Sequence, residues 1–163
     1  MSSTTSRTRG AKGRRVHLVD LENLAGSSHV TESHARWLRD VYLGTGMVAH
    51  GDHVILGVSH HNQLAAGYGW PDARRVVRSG PNGADLALQE VMATENLAGR
   101  FDSCIVATGD GGFAEAIAAL AGQGLPSGVI APRGHCSAAL KLAATGYAEL
   151  DFGVTDADTG WSA

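Results

Sequence analysis

The chain lacks several features that would settle its class at once. It has only two cysteines, Cys104 and Cys136. Two thiols cannot build a disulfide framework or a four-cysteine zinc site. No run of about 18 apolar residues is present, so neither a membrane span nor a membrane partner is expected. The basic, Ser/Thr-rich start has no apolar h-region, so a secretory signal is not expected and a cytoplasmic location is the default. Neither the Gly-x-Gly-x-x-Gly spacing of a dinucleotide loop nor a Gly-Lys-Ser/Thr is found where a phosphate loop requires it. No internal repeat and no second domain are visible.

What is present fits one ordinary domain. The chain has 163 residues, of which 44% are hydrophobic, enough for a real core. Thirteen basic residues face sixteen acidic ones, for a net charge of −3. The charge is unevenly placed. Residues 1–15 carry Arg7, Arg9, Lys12, Arg14 and Arg15 and no acid. The remainder is therefore strongly acidic. Residues 1–15 are expected to be a disordered basic leader, either a tail that finds polyanions or a solubilising segment. The domain proper is expected over 16–152, with a flexible tail over 153–163.

Within the domain, short β-branched runs alternate with amphipathic stretches. Strands are predicted at Val16–Asp20, His53–Ser59, Arg74–Arg78, Asp102–Thr108, Ser127–Ala131 and Tyr147–Phe152. Helices are predicted over 32–43, with Thr31 as cap and Gly44 as stop, and over 85–98, 111–122 and 137–144. A short helix or loop is predicted over 61–69, and a turn at Pro81-Asn82-Gly83. This alternation predicts an α/β fold, with helices on both faces of a mostly parallel, doubly wound sheet. In strand order 3-2-1-4-5, the ligand sits beyond the carboxyl ends of the strands, where the order reverses.

Acids lie at that place. Strand one ends in Asp20, strand four runs into Thr108-Gly109-Asp110, and Asp85 lies on the inner side of the helix that precedes strand four. Like charges brought together repel unless protonated or neutralised by a cation. Carboxylate oxygens are hard ligands suited to Mg²⁺ or Mn²⁺. A divalent ion in an acidic cleft can clamp phosphate oxygens and activate water for phosphodiester hydrolysis. Asn23 is expected to orient Asp20 or the water, and Thr108 to donate to an acid or a phosphate. Each acid also has a structural reading: Asp20 as a turn residue, Asp85 as a helix cap, Asp110 as a turn or cap.

Three segments, in order and spacing, resemble a known family. VHLVDLENL is similar to the opening strand of NYN domains, which are PIN-like nucleases, with the family's Asp-x-x-Asn at Asp20 and Asn23. NGADLAL resembles the Gly-x-Asp segment and places the second acid at Asp85. ATGDGGF resembles the [Ser/Thr]-Gly-Asp-x-Asp-Phe segment and places the third at Asp110. The resemblance covers about residues 16–152. It implies a three-layer α/β/α PIN-like sandwich and an endoribonuclease that uses Asp20, Asn23, Asp85 and Asp110, the three aspartates holding Mg²⁺ or Mn²⁺. The second acid of the last segment is Gly112 here. Either three acids and waters suffice, or Glu22 or Glu115 substitutes, or the domain binds RNA or a protein without cutting. Glu115 is expected on the outer face of its helix, whereas Glu22 can reach inward. A third class is a phosphatase-like or nucleotide-binding enzyme with the same crevice.

The implied partner is single-stranded RNA, with a homodimer left open. Arg133, Arg78 and His60 are the expected substrate contacts, with Arg74, Arg75 and Lys141 as further bases. Tyr68 and Trp70 could stack a base or cover the core. Other constellations are weaker. His50-x-x-His53 and His60-His61 have no cysteine pair with which to complete a zinc site. His17 reads as a packed core residue. His135 and Cys136 lack a third partner for nucleophilic catalysis.

Overall fold

The computed structural model describes residues 13–153. The expected tail therefore lies outside the described residues except for Gly153, and so does the leader up to residue 12. Gly13, Arg14 and Arg15 join the fold instead. The Gly13 N–H donates to Asp102 at 2.6 Å, the Arg14 guanidinium reaches His53 Nε2 at 2.8 Å, and Arg15 opens the first strand.

In chain order the elements are β1 (Arg15–Asp20), α1 (Leu21–Ala25), α2 (Glu32–Gly44), β2 (His53–Val58), a 3-10 turn (His60–Asn62), α3 (Gln63–Gly69), β3 (Arg74–Val77), α4 (Gly83–Thr94), α5 (Leu97–Arg100) and β4 (Ser103–Ala107). A second 3-10 turn (Gly111–Phe113), α6 (Ala114–Gly122), β5 (Ser127–Pro132), α7 (Ala138–Ala143) and β6 (Gly146–Leu150) complete the domain. The sheet has six strands in the order β3-β2-β1-β4-β5-β6. All neighbours are parallel. The last strand thus extends the predicted order at the β5 edge. The first half of the chain winds one way from β1 and the second half the other, so the switch point lies between β1 and β4.

Two cores cover the two faces of the sheet, which makes a three-layer α/β/α sandwich. Leu21, Leu24, Ala35, Leu38, Tyr42 and Ala66 from α1–α3 pack with Val19, Leu56, Val58 and Ala107. Leu88, Val91, Met92, Ile117, Leu120 and Leu140 from α4, α6 and α7 pack with Val16, Leu18, Val106 and Val129. The period-two alternation of a strand then fixes where Asp20 points. It shares parity with Val16 and Leu18, so it faces α4. A close approach holds α4 there. A Cβ built on Gly57 of β2 would lie 2.5 Å from the Leu88 side chain and 2.8 Å from the Ala84 carbonyl oxygen.

Several predicted boundaries move. The single helix expected over 85–98 starts earlier and breaks. Asn82 and Asn96 both adopt positive φ, 56° and 51°, at the starts of α4 and α5. Asparagine tolerates that conformation better than most residues. The five-residue α1, which no periodicity predicts, follows β1 directly. Thr31 caps α2 as expected, accepting from the His34 N–H at 3.1 Å.

At the opposite end of the sheet, His17 is fully buried. Its Nδ1 meets the Tyr42 hydroxyl at 2.7 Å and its Nε2 meets Asp52 Oδ2 at 3.0 Å. It is a core residue, as its strand position implies. Burial holds its pKa below the ordinary 6.5, against the opposing pull of Asp52. Trp70 is also core, 1% exposed and tilted against Tyr42, which removes it as a base-stacking residue. Tyr68 stays 69% exposed on α3.

Candidate active site

The carboxyl ends of β1 and β4 bring the first and third acids together. Asp20 ends β1 and caps α1, accepting from the Asn23 N–H. Its other oxygen, Oδ2, accepts from the Thr108 hydroxyl at 3.1 Å. Thr108 lies just past β4 and is fully buried. Its oxygen in turn accepts from the Asp110 N–H at 3.1 Å. Asp110 caps the following 3-10 turn, with Oδ1 accepting from the Gly112 N–H at 2.9 Å. The structural and chemical readings of Asp20 and Asp110 are therefore compatible, because each carboxylate uses one oxygen as a cap. Asp85 is different. The cap of α4 is Asn82, so Asp85 sits inside the first turn and is not the cap.

Asp85 stands between the other two acids. Its carboxyl is within hydrogen-bond reach of both Asp20 and Asp110. Burial and these two neighbours push its pKa up to about 9. Burial also raises Asp20, with the nearby Glu22 charge adding to the rise. Asp110 moves the other way, because Asp85 and the Gly112 N–H both donate to its carboxylate. The arrangement is a row of three carboxyl groups whose middle member is pushed towards its protonated form. Acids this close cannot all ionise without a compensating positive charge.

This chain of acids lines a cleft of about 480 Å³, together with Glu22, Asn23, Ser59 and His61. Glu22 reaches inward, as its position after Asp20 allows. Its oxygens accept from the Ser59 N–H at 3.1 Å, the Ser59 hydroxyl at 2.7 Å and the Asn62 amide at 2.9 Å. Glu115 is exposed on α6. Gly112, where the resemblance leads one to expect a further acid, is exposed too. A Cβ there would lie 3.3 Å from Asp110 Oδ1.

The donor set of this cleft is chemically suited to a hard divalent cation: several carboxylate oxygens, no thiolate, and repulsion that a cation would relieve. Among the described residues no three His, Cys, Asp or Glu side chains converge in ready ligating geometry. The aspartates are linked in line through Asp85 instead.

The other expected residues distribute unevenly. Asn23 does not hold Asp20 through its amide. Its Oδ1 accepts from the Gly109 N–H at 2.8 Å and so ties α1 to the β4 turn, while its backbone N–H faces Asp20 Oδ1 at 3.4 Å. His60 is exposed and edge-on to His61. His61, not His60, lines the acidic cleft, with Nε2 2.9 Å from the Ser28 carbonyl oxygen. Arg78 lies outside the cleft lining, 4.0 Å from Glu90. Arg74 is engaged by both oxygens of Glu95, and Arg75 donates to the Gln63 carbonyl. Lys141 lies over the Tyr147 ring. Arg133 belongs to a separate cleft on the far side of α1. Burial raises the Cys136 thiol, the opposite of what a thiolate nucleophile requires.

Sequence reasoning missed Asn62. It is fully buried. Its amide nitrogen donates to Glu22 and to the Ser28 carbonyl, and its oxygen accepts from the Val30 N–H. Nothing in an isolated HHN triplet signals such a hub.

The fold and cleft together define the class: an all-parallel α/β/α domain with acids gathered at the sheet's carboxyl edge. No family model matches the chain, and no curated protein matches it. Among solved structures it is similar to a protein of unknown function from Vibrio parahaemolyticus. The two share 16% identity over 88% of this chain and 96% of the other, with a TM-score of 0.56. At that identity the likeness shows a common fold.

Proposed function

We propose that this domain is a metal-dependent endoribonuclease of NYN/PIN-like type that hydrolyses phosphodiester bonds in single-stranded RNA in the cytoplasm. The observation that carries the reading is the gathering of Asp20, Asp85 and Asp110 in one cleft at the carboxyl ends of β1 and β4. Asp20, Asp85 and Asp110 would hold Mg²⁺ or Mn²⁺, with Glu22 as the acid that compensates for Gly112. When bound, such an ion would offset charge on the scissile phosphate and lower the pKa of a coordinated water.

The chain's own groups do the positioning. Thr108 donates to Asp20 and accepts from the Asp110 N–H, so one hydroxyl fixes the spacing of two acids. Asn23 locks α1 against Gly109. The Ser59 and Asn62 donors hold the Glu22 carboxylate turned towards the cleft. His61, at the cleft wall, is placed to hydrogen-bond substrate. Asp20→Asn and Asp110→Asn, assayed on end-labelled single-stranded RNA with Mn²⁺, are each expected to lose cleavage by at least about 100-fold. Unchanged cleavage in either variant contradicts the assignment.

Gly112 favours a second reading, a domain of the same family that binds RNA or a protein without cutting. Mn²⁺-independent RNA binding with no cleavage of varied substrates would select it.

A further inference from the structure

We infer that the second cleft, across α1 from the three aspartates, seats a flanking nucleotide of the same strand, one whose phosphate is not the one cleaved. The inference rests on the ribonuclease reading and makes the substrate a single strand bent over α1.

The cleft measures about 610 Å³, within the range that takes a small ligand. Its walls are mixed. Leu150 supplies apolar surface above the buried Leu24 and Phe152, and Arg133, His135 and Asp151 supply polar groups. That combination suits a nucleotide, with a flat apolar base and an anionic phosphate.

Arg133 is the unusual member. Every other described arginine ion-pairs or hydrogen-bonds through its side chain within the fold. Among the described residues, Arg133 makes no such contact and is exposed. Its backbone is anchored, with its N–H donating to the Leu150 carbonyl at 2.9 Å. A fixed backbone carrying a guanidinium with no partner among the described residues is suited to gripping a phosphate.

The two clefts share Glu22, Asn23 and Gly26 in their walls. They are also mechanically joined. The Ser137 N–H donates to the Gly109 carbonyl at 3.2 Å. The His135 carbonyl lies so close to Gly109 that a Cβ there would come within 2.1 Å of it. Gly109 in turn precedes Asp110 and is held by Asn23. The Arg133 loop therefore rides on the same turn that places the third acid. The wall between the clefts is α1, five residues or about 7.5 Å long. A flexible single strand can turn over such a wall. A duplex, stiff over many base pairs, cannot.

The test compares kcat/KM for a mixed-sequence hexaribonucleotide with that for mixed diribonucleotides in Mn²⁺. The diribonucleotides have no flanking phosphate. Wild-type protein is expected to prefer the hexamer by about tenfold or more. Arg133→Gln should bring that ratio down about threefold to tenfold and flatten its salt dependence, and Arg133→Lys should restore most of it. Asp151→Asn, which removes a negative charge from the same cleft, should raise the ratio about twofold. An unchanged ratio in Arg133→Gln, or an equal fall on both substrates, overturns the inference while leaving the ribonuclease reading intact. Cleavage of neither substrate by wild-type protein overturns both.

Discussion

Replacing Asp85 by Asn should separate what the acidic cleft does for chemistry from what it does to the fold. In the folded protein Asp85 is pushed up to about 9, whereas its ordinary value is 3.8. Between those values the folded state binds a proton that the unfolded state releases. Stability therefore falls as pH rises from about 4 towards 9. The group is half-exposed, so solvent screening trims the effect to about 1–2 kcal/mol at pH 7.5. An asparagine amide stands between Asp20 and Asp110 without a proton or a cation. Asp85→Asn should then raise Tm by about 2–8 °C at pH 7.5 in EDTA, and the gain should vanish towards pH 4. Mn²⁺ should stabilise wild type, by about 2.7 kcal/mol at a hundredfold excess over Kd, and barely stabilise the variant. RNA cleavage by the variant should be lost. Thermal melts across pH 4–8.5, with Mn²⁺ or with EDTA, read all of this. A Tm at pH 7.5 that falls or stays level, or equal stabilisation of both proteins by Mn²⁺, refutes the reasoning.

Three further outcomes follow from the same structure. Thr108→Val keeps the shape but leaves Asp20 and the Asp110 N–H without the bridging oxygen, so chemical denaturation should show a loss of about 1–3 kcal/mol along with reduced cleavage. Gly57→Ala drives a methyl into Leu88 and the Ala84 carbonyl. It should cost about 1–3 kcal/mol by overpacking and, by lifting α4 and Asp85, weaken Mn²⁺ binding measured by calorimetry. His17 is held below its ordinary 6.5, so the unfolded chain takes up its proton first as the solution is acidified. The stability His17 contributes is complete above pH 6.5 and declines below it, and His17→Gln should flatten that part of a urea-denaturation pH profile.

The frame of this fold was legible because its signals are local and periodic. VHLVD and DSCIVAT read as buried strands, and parity within the first then aims Asp20 at α4. The meeting of Asp20 and Asp110 followed from strand order, and that of Asp85 from its place on the helix face that carries Leu88 and Met92. What escaped depends on contacts between distant segments. LENLA is one turn and a half, too short to show an amphipathic period, yet it walls off Arg133 from the acids. The break after Thr94 depends on Asn96 adopting a left-handed backbone, which asparagine permits but does not dictate. Glu22 gains its place from Ser59 and Asn62, nearly forty residues away. His60 and His61 are indistinguishable in sequence, and only the 3-10 turn that carries them puts the second at the cleft wall.

The central claim is that the three aspartates gather a cation. A crystal soaked in Mn²⁺ and recorded at the manganese edge tests it directly. An anomalous peak is expected about 2.0–2.5 Å from carboxylate oxygens of Asp20, Asp85 and Asp110. A fully loaded crystal with no peak in that cleft, or with its peak at another site, contradicts it.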